Sequence, residues 1–236
     1  MACLFPRNSC SSGSSEFRKE VRRRHPGKSP GKGSNGFSAA IKTMQEGKTM
    51  RKNFGVKRFL YPQPVLMIAS YGEDGTPDLM NAAWGGLSGP DEISMCIGAG
   101  HKTTRNILAR KAFTVSMADA EHIAGCDYVG LVSGYSVPDK FARAGFTEMK
   151  SEFVDAPVVL ELPVCLECRL RSYDEDTHRM VGEIVNVSVD ERFLDEDGAV
   201  NLEKAGFVTN DPFRKDYRVP GKKVGNAYKA GLALKG

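Results

Sequence analysis

Short apolar segments separated by tight-turn residues dominate the chain. The run "PVLMIASY" at 64–71 has the length of a strand, and the Asp-Gly pair in the following "EDGT" is a strong hairpin signal. Residues 78–86 and 92–99 predict further strands, and 112–119 alternates apolar with small polar residues, as a half-buried strand does. Two long strands around a polar turn are expected in 158–191. Short strands with few helices between them favour an antiparallel sandwich or barrel over a doubly wound parallel sheet.

The stretch "GAGHKTTRNI" stands just before an expected helix and has the composition of a phosphate site. It is not a nucleotide-triphosphate loop, because a histidine separates the last glycine from Lys102 and Met95 stands where the first glycine is required. A helix start carries unpaired N–H groups and partial positive charge, and Lys102 adds a full charge. These properties suit a single terminal phosphate. The alternative is a plain helix cap by Thr103 or Thr104, with Lys102 in solvent.

The charge of the chain is unevenly distributed. Residues 1–49 hold ten basic and three acidic side chains, which gives +7, whereas the other 187 residues hold 23 basic and 26 acidic ones, which gives −3. Residues 1–49 are rich in Ser, Gly, Pro and Arg and predict a disordered basic tail, and residues 50–236 predict one domain. The tail could contact nucleic acid or an anionic surface, could be a targeting segment, or could precede a translation start at Met50. The acidic domain argues against nucleic acid as a main partner.

Six cysteines occur in the chain, and we see no secretory signal, so free thiols in a reducing, cytoplasmic compartment are expected. Cys165 and Cys168 form a C-x-x-C pair, but no second pair exists to complete a zinc site. The segment also has strand alternation, which directs residues three apart to opposite faces. We therefore expect ordinary strand cysteines and no metal. No apolar run is long enough to cross a bilayer, so no membrane partner is expected.

The order of four segments resembles the flavin reductase-like family, and most of all its flavoredoxin members. These segments are "YPQPVLMIASYGEDGTPDLMNAAW", "GAGHKTTRNILARKAFTVSM", "SGYSVPDKFARAGF" and "HRMVGEIVNV". The resemblance covers residues 50–236 and none of the tail. It implies a mostly β fold, the FMN-binding split barrel: a six-stranded antiparallel Greek-key barrel with a few short helices. It also implies a homodimer with flavin near the subunit interface.

The resemblance further implies that the cofactor is FMN and that its phosphate is the ligand of the helix start. The residues expected to bind it are Lys102, Thr103, Thr104 and Asn106 at the phosphate, Asn81, Ala82, Ala83 and Trp84 along the isoalloxazine, and Lys140, His178 and Phe213 around the ring. Small alanines would let backbone amides approach the ring edge. The alternatives are a core or interface role for Trp84, a surface charge at Lys140, a solvated His178 and simple packing of Phe213.

The function implied is an FMN-dependent oxidoreductase. Electrons would pass from NAD(P)H or a reduced protein through bound FMN to a second flavin or a redox partner. Flavin chemistry belongs largely to the cofactor, so no catalytic side chain is assigned. Two alternatives stay open: a flavoredoxin-type electron carrier without direct NAD(P)H activity, and a flavin-free binding or structural protein that kept only the barrel.

Overall fold

The computed structural model describes residues 51–235, and the predicted tail, residues 1–49, lies outside them. A compact unit begins at Arg58, and residues 51–57 belong to a separate unit. Residues 51–57 are exposed, and within them the Lys52 ammonium lies 5.4 Å from the centre of the Phe54 ring.

The compact unit is built mainly from strands, with short helices between them. The strands are β1 (Gln63–Pro64), β2 (Leu66–Tyr71), β3 (Pro77–Ala82), β4 (Gly85–Gly89), β5 (Glu92–Cys96), β6 (Ala112–Met117), β7 (Glu148–Lys150), β8 (Pro157–Val159), β9 (Val164–Asp174), β10 (Arg179–Val189), β11 (Thr209–Asp211) and β12 (Asp216–Arg218). The helices are α1 (Lys102–Arg110), α2 (Ile123–Leu131), α3 (Lys140–Arg143) and α4 (Leu202–Ala205), with 3-10 turns at Glu191–Phe193 and Leu232–Leu234.

Seven strands form the main sheet, in the order β3-β2-β6-β9-β10-β5-β4, and every pairing is antiparallel. Two small sheets, β1-β11-β12 and β7-β8, are attached. The long hairpin of β9 and β10 was expected from the alternation in 158–191. The mostly β, antiparallel fold class expected from the sequence is thus confirmed.

The strand count differs from the six that the resemblance implies. The single strand expected over 78–86 is broken after Ala82, and the chain restarts as β4 at Gly85. A Cβ atom on Gly85 would lie 2.8 Å from both the Leu66 and the Met95 side chains, so only glycine fits where the chain turns. The strand expected over 92–99 ends at Cys96, three residues earlier than its apolar pattern indicates.

The break between β3 and β4 closes one end of the barrel. These two strands are the opposite edges of the seven-stranded sheet, yet only two residues join them. Consecutive Cα atoms are about 3.8 Å apart, so the two edges must meet there. A Cβ atom on Gly85 would meet both Leu66 of β2 and Met95 of β5, so side chains from the two halves of the sheet come together at this closure. Residues 83–84, which the sequence assigns to the flavin, form this corner.

The apolar run of β2 is buried on both faces. Leu66 and Ile68 join Phe113 in the barrel interior, whereas Met67 and Ala69 face a second core that includes residues of α2 and α3. This double burial explains why the segment reads as a continuous apolar run rather than an alternation. It also fixes α2 and α3 against the β2–β3 hairpin, where the predicted Lys140 lies.

The two cysteines of the C-x-x-C pair lie on β9, as expected, and both are free thiols. Cys168 belongs to the barrel core, whereas Cys165 lies opposite Ser116 on β6. Burial raises the pKa of Cys165 to about 11 and that of Cys168 to about 12. Neither side chain is therefore a thiolate at neutral pH, and the prediction of ordinary strand cysteines is confirmed.

Candidate functional site

The start of α1 is built as the sequence indicates. The helix begins at Lys102, and its first turn contains no acidic residue. The Arg105 N–H donates to the His101 carbonyl at 3.2 Å, so the N–H groups of residues 102–104 precede the bonded turns of the helix. Among the described residues, the half-buried Lys102 ammonium makes no hydrogen bond or ion pair. The helix start therefore presents both a partial and a full positive charge.

The polar side chains of α1 hold the helix in place. Thr103 Oγ1 donates to Asp78 Oδ2 at 2.5 Å, and Thr104 Oγ1 donates to the Gly98 carbonyl at 2.9 Å. Asn106 Nδ2 is 3.3 Å from the Ser70 hydroxyl, to which it donates. All three helix side chains are buried. Their hydrogen bonds fix the helix start against β2, β3 and the preceding loop, and leave the backbone N–H groups and Lys102 to meet a ligand.

Lys140 lies beneath this helix start. The residue is 3% exposed, its ammonium donates to the Val129 carbonyl at 3.2 Å, and Asp78 Oδ1 is 3.4 Å from the ammonium. Burial lowers the pKa of Lys140, the charge of Asp78 opposes that shift, and the charge of Lys102 adds to it. The alternative of a surface helix charge is therefore excluded.

Two histidines lie in the same electrostatic environment. Burial lowers the pKa of His101, and the charge of Lys140 lowers it further, with a smaller contribution from His178. His178 occupies the β9–β10 turn in the left-handed conformation, and its carbonyl accepts a hydrogen bond of 2.9 Å from the Ile97 N–H. We call the helix start together with Lys102, Lys140, His101 and His178 the anion corner.

Residues 81–84 lie at the barrel closure, and their side chains differ in environment. Asn81 is buried, and its amide donates to the Cys126 carbonyl at 2.8 Å. Ala82 and Ala83 are partly exposed. The Trp84 carbonyl accepts a hydrogen bond of 2.8 Å from the Cys96 N–H, and the Arg58 guanidinium lies 4.2 Å from the centre of the Trp84 ring. The Trp84 side chain is thus partly exposed at the barrel closure, with the Arg58 guanidinium over its ring.

A groove of about 540 Å³ adjoins Trp84. It is lined by Trp84, Gly85, Gly86, Leu87, Ser94, Met95, Cys96, Asp174, Thr177 and Arg179. Thr177 and Arg179 flank His178 in the chain, and Cys96 precedes the loop that leads to α1. Two of the chain segments that line the groove therefore lead directly into the anion corner. Its volume is in the range of small-molecule sites.

Phe213 lies at a different place from the other predicted residues. Its side chain is 62% exposed and meets Phe59 edge to face, with ring centres 5.2 Å apart. Phe59 follows Arg58, which covers Trp84, so one short segment contacts both aromatic residues. Within residues 58–235, no described contact joins Phe213 to the anion corner. The structure therefore relates Phe213 to the Trp84 side of the site.

Two residues of the site escaped the sequence reasoning. Asp78 joins Thr103 to Lys140, and a lone carboxylate inside the apolar stretch "PDLMNAAW" was a signal for it, because buried charges need partners. Arg58 stacks on Trp84 across 26 positions of the chain. Nothing in the sequence near Arg58 indicates that contact.

The residues present fit a ligand that combines a phosphate with an aromatic ring. The anion corner offers N–H donors and the Lys102 ammonium, which are the kinds of group that bind terminal phosphates. The adjoining groove offers Trp84 and uncharged strand backbone from β4 and β5. Among residues 51–235, no group of histidines, cysteines and carboxylates is arranged to hold a metal ion, and no helix is long and apolar enough to span a membrane.

Comparison with known proteins agrees with this geometry. The sequence profile of the flavin reductase like domain matches residues 57–204. The structure is similar to flavoredoxin of Desulfovibrio vulgaris (Miyazaki F), with a TM-score of 0.74 and 35% identity, covering 77% of this chain and 100% of that one. It is also similar to flavoredoxin from Methanosarcina acetivorans, with a TM-score of 0.70 and 25% identity, covering 78% and 100%.

A third structure shares the fold. It is the FMN-binding domain of a flavin reductase-like enzyme from Shewanella baltica OS155, with a TM-score of 0.63 and 16% identity, covering 72% of this chain and 92% of that one. The profile match spans more than half of the present chain, and the first flavoredoxin is matched over its whole length. The chain belongs to the flavin reductase-like family.

Proposed function

We propose that this protein is an FMN-dependent oxidoreductase that passes electrons from NAD(P)H or a reduced protein to a flavin or another redox partner. The observation that carries the proposal is the Lys102 ammonium at the start of α1, which makes no hydrogen bond or ion pair within residues 51–235, beside a groove bounded by Trp84. The helix start with Lys102 suits a phosphate, and the groove beside Trp84 suits an aromatic ring. Family membership and the 35% identity to a flavoredoxin support it.

In this proposal the anion corner binds the phosphate of FMN. The N–H groups of residues 102–104 and the Lys102 ammonium donate to its oxygens, and the buried Lys140, paired with Asp78, lies beneath them. Thr103, Thr104 and Asn106 act by holding the helix start in place. His101 and His178 border the path from the phosphate to the ring.

The ring would lie along residues 81–84, with the groove beside it. Ala82 and Ala83 leave the backbone accessible, and Trp84 with Arg58 forms the wall. Bound FMN supplies the ability to accept and release a hydride or single electrons. The protein binds the flavin, keeps one side of it open through the groove, and sets its potential through the polar groups around the ring, among them Lys140 and His178. Phe213 and Phe59 extend this wall on the outer side.

Absorption spectroscopy tests cofactor binding. The purified protein, incubated with FMN and desalted, should retain the visible bands of bound flavin. A colourless protein after this treatment would support the flavin-free alternative. Deletion of residues 1–49 should leave the flavin content unchanged, because every proposed contact lies at Arg58 or after it.

A second candidate is a flavoredoxin-type carrier without direct NAD(P)H activity, which the two flavoredoxin similarities favour. Anaerobic addition of NAD(P)H separates the candidates. Bleaching of the flavin on a catalytic timescale supports the reductase. Bleaching only by a reduced iron–sulfur protein supports the carrier.

A homodimer and a cytoplasmic location complete the proposal. Exposed apolar side chains on β4 and β10, Leu87 and Val187, offer surface for a second copy. The four described cysteines are free thiols, as expected in a reducing compartment. Light scattering coupled to gel filtration measures the oligomeric state directly, and a monomer at micromolar concentration would contradict the dimer.

A further inference from the structure

Asp78 is a charged residue buried in the fold with no role assigned by the family resemblance. It lies on β3, and its side chain is 1% exposed. Moving a carboxylate from water into a protein interior costs several kcal/mol unless partners compensate it. Its partners are the Thr103 hydroxyl on one oxygen and the Lys140 ammonium, 3.4 Å away, on the other. The Lys140-facing oxygen accepts no hydrogen bond of good geometry among the described residues.

These partners come from two different elements of the anion corner. Thr103 lies in the first turn of α1, and Lys140 is the first residue of α3. One carboxylate therefore fixes both the position of the helix start and the position of the buried ammonium. The Lys102 side chain also lies close to Asp78. A Cβ atom on Gly134 would be 2.2 Å from Asp78 Oδ1 and 2.9 Å from Lys102 Cδ, so both side chains border the same point.

The charges of the corner depend on this residue. Asp78 and Lys140 compensate each other, which leaves the charge of Lys102 and the helix start for an anion. Without the carboxylate, the Lys140 ammonium would be buried without a counter-charge and would favour its neutral form. Without Lys140, the carboxylate would repel a phosphate. The groups that face Lys140 are Asp78 from β3, Lys102 from α1, His101 before α1 and the uncharged Val129 carbonyl from α2.

We propose that Asp78 is a positioning residue for phosphate recognition: it holds Lys140 and the first turn of α1 so that the site selects a flavin that carries a phosphate. This inference rests on the proposed function and extends it, because it assigns the discrimination between FMN and riboflavin to a residue that touches neither. It acts through Thr103 and Lys140.

Asp78→Asn tests the inference, since it keeps the side-chain size and an oxygen that can accept the Thr103 hydrogen bond. Dissociation constants of FMN and of riboflavin are measured by flavin fluorescence titration. We expect FMN to bind roughly tenfold or more weakly, because the Lys140 ammonium loses its counter-charge and its fixed position beneath the helix start, and riboflavin to bind as to the wild type. Asp74→Asn is the matched control. Asp74 is an exposed carboxylate that also acts on Lys102, but it bonds to Thr76 rather than to Thr103 or Lys140.

Lys140→Met completes the design. Alone it leaves the Asp78 charge uncompensated and should weaken FMN binding, whereas combined with Asp78→Asn it should restore part of the lost affinity. Thermal unfolding checks the fold of each variant. If Asp78→Asn does not fold, Thr103→Val removes the link to α1 and should weaken FMN binding but not riboflavin binding.

Equal weakening of both flavins in Asp78→Asn would show a merely structural role and overturn the inference. An unchanged preference for FMN would overturn it as well. A wild-type protein that binds neither flavin would overturn the proposed function itself, and the inference with it. A wild type that prefers FMN, with a preference that Asp78→Asn abolishes, supports both.

Discussion

The anion corner and the groove beside it differ in how deeply their side chains are buried and in how firmly they are held. In the corner, Thr103, Thr104 and Lys140 are buried and hydrogen-bonded to fixed partners. At the groove, Trp84 is partly exposed and meets the exposed Arg58, and on the same side of the site the exposed Phe213 meets the exposed Phe59. A preorganised corner can bind a phosphate without reordering, whereas an open groove leaves a ring accessible to a partner. We infer that the fold fixes how the cofactor is held and leaves open with what it exchanges electrons.

The largest effect should come from Lys102→Ala, which removes the ammonium at the helix start of the corner. We expect FMN affinity to fall by about 1.5–3 kcal/mol, the value of a hydrogen bond to a charged group. Riboflavin affinity should not change, because riboflavin has no phosphate. Fluorescence titration with both flavins measures this. Lys111→Ala, just after the other end of α1, is the control. Equal losses of FMN affinity in the two variants would show that Lys102 acts no differently from a surface charge.

Paired glycine substitutions test the difference in packing between the two regions. A Cβ atom on Gly134 in the corner would lie 2.2 Å from Asp78 Oδ1, whereas one on Gly86 in the groove meets nothing within 4 Å. We expect Gly134→Ala to destabilise the protein by about 1–3 kcal/mol, as overpacked sites do. The urea concentration at the midpoint of unfolding should be the same for Gly86→Ala as for the wild type. Urea unfolding measures both, and a tolerant Gly134→Ala would show that the corner is not rigid.

Arg58→Ala should have a smaller effect, confined to the groove. An exposed cation–π contact contributes about 0.5–1 kcal/mol. Trp84 is the only tryptophan in the sequence, so the tryptophan fluorescence of the protein reports only on the surroundings of this side chain. We expect the emission of the flavin-free protein to shift toward that of a more solvated indole, with little change in FMN affinity. An unchanged spectrum would mean that Arg58 does not cover Trp84 in solution.

The smallest effect concerns pH and the corner. Because the folded protein lowers the pKa of His101 below its usual 6.5, the unfolded chain binds a proton at a higher pH than the folded one does. The contribution of His101 to stability is therefore full above pH 6.5 and declines as the pH falls below it. Urea unfolding of the flavin-free protein between pH 5 and 8 should show this slope, reduced in His101→Gln. An identical slope in that variant would place His101 in solvent.

The sequence predicted the fold well where local patterns decide it. The apolar run of β2, the alternation of β6 and the hairpin of β9 and β10 are all local signals, and the structure contains each element. The break at residues 83–84 was not predicted, since it depends on Gly85 passing between Leu66 and Met95, which are far apart in the chain. Barrel closure is a tertiary constraint that no short window of sequence contains.

The helix start of the candidate site was predictable from the sequence, but the contacts of its side chains were not. Lys102 stands at the helix start, as its place after a glycine-rich loop indicates. Thr103 and Asn106 were assigned to the phosphate, yet their side chains bond to Asp78 and Ser70. Their roles toward FMN stay predictions, as do those of His178 and Phe213. Side-chain direction depends on which strands pack beneath the helix, and the sequence alone does not give that.

A crystal structure of the protein with FMN tests the central claim most directly. The account predicts phosphate density at the N–H groups of residues 102–104, within hydrogen-bonding distance of the Lys102 ammonium, with the ring along residues 81–84. Phosphate density at any other place, or FMN absent from this corner at saturating concentration, would contradict it.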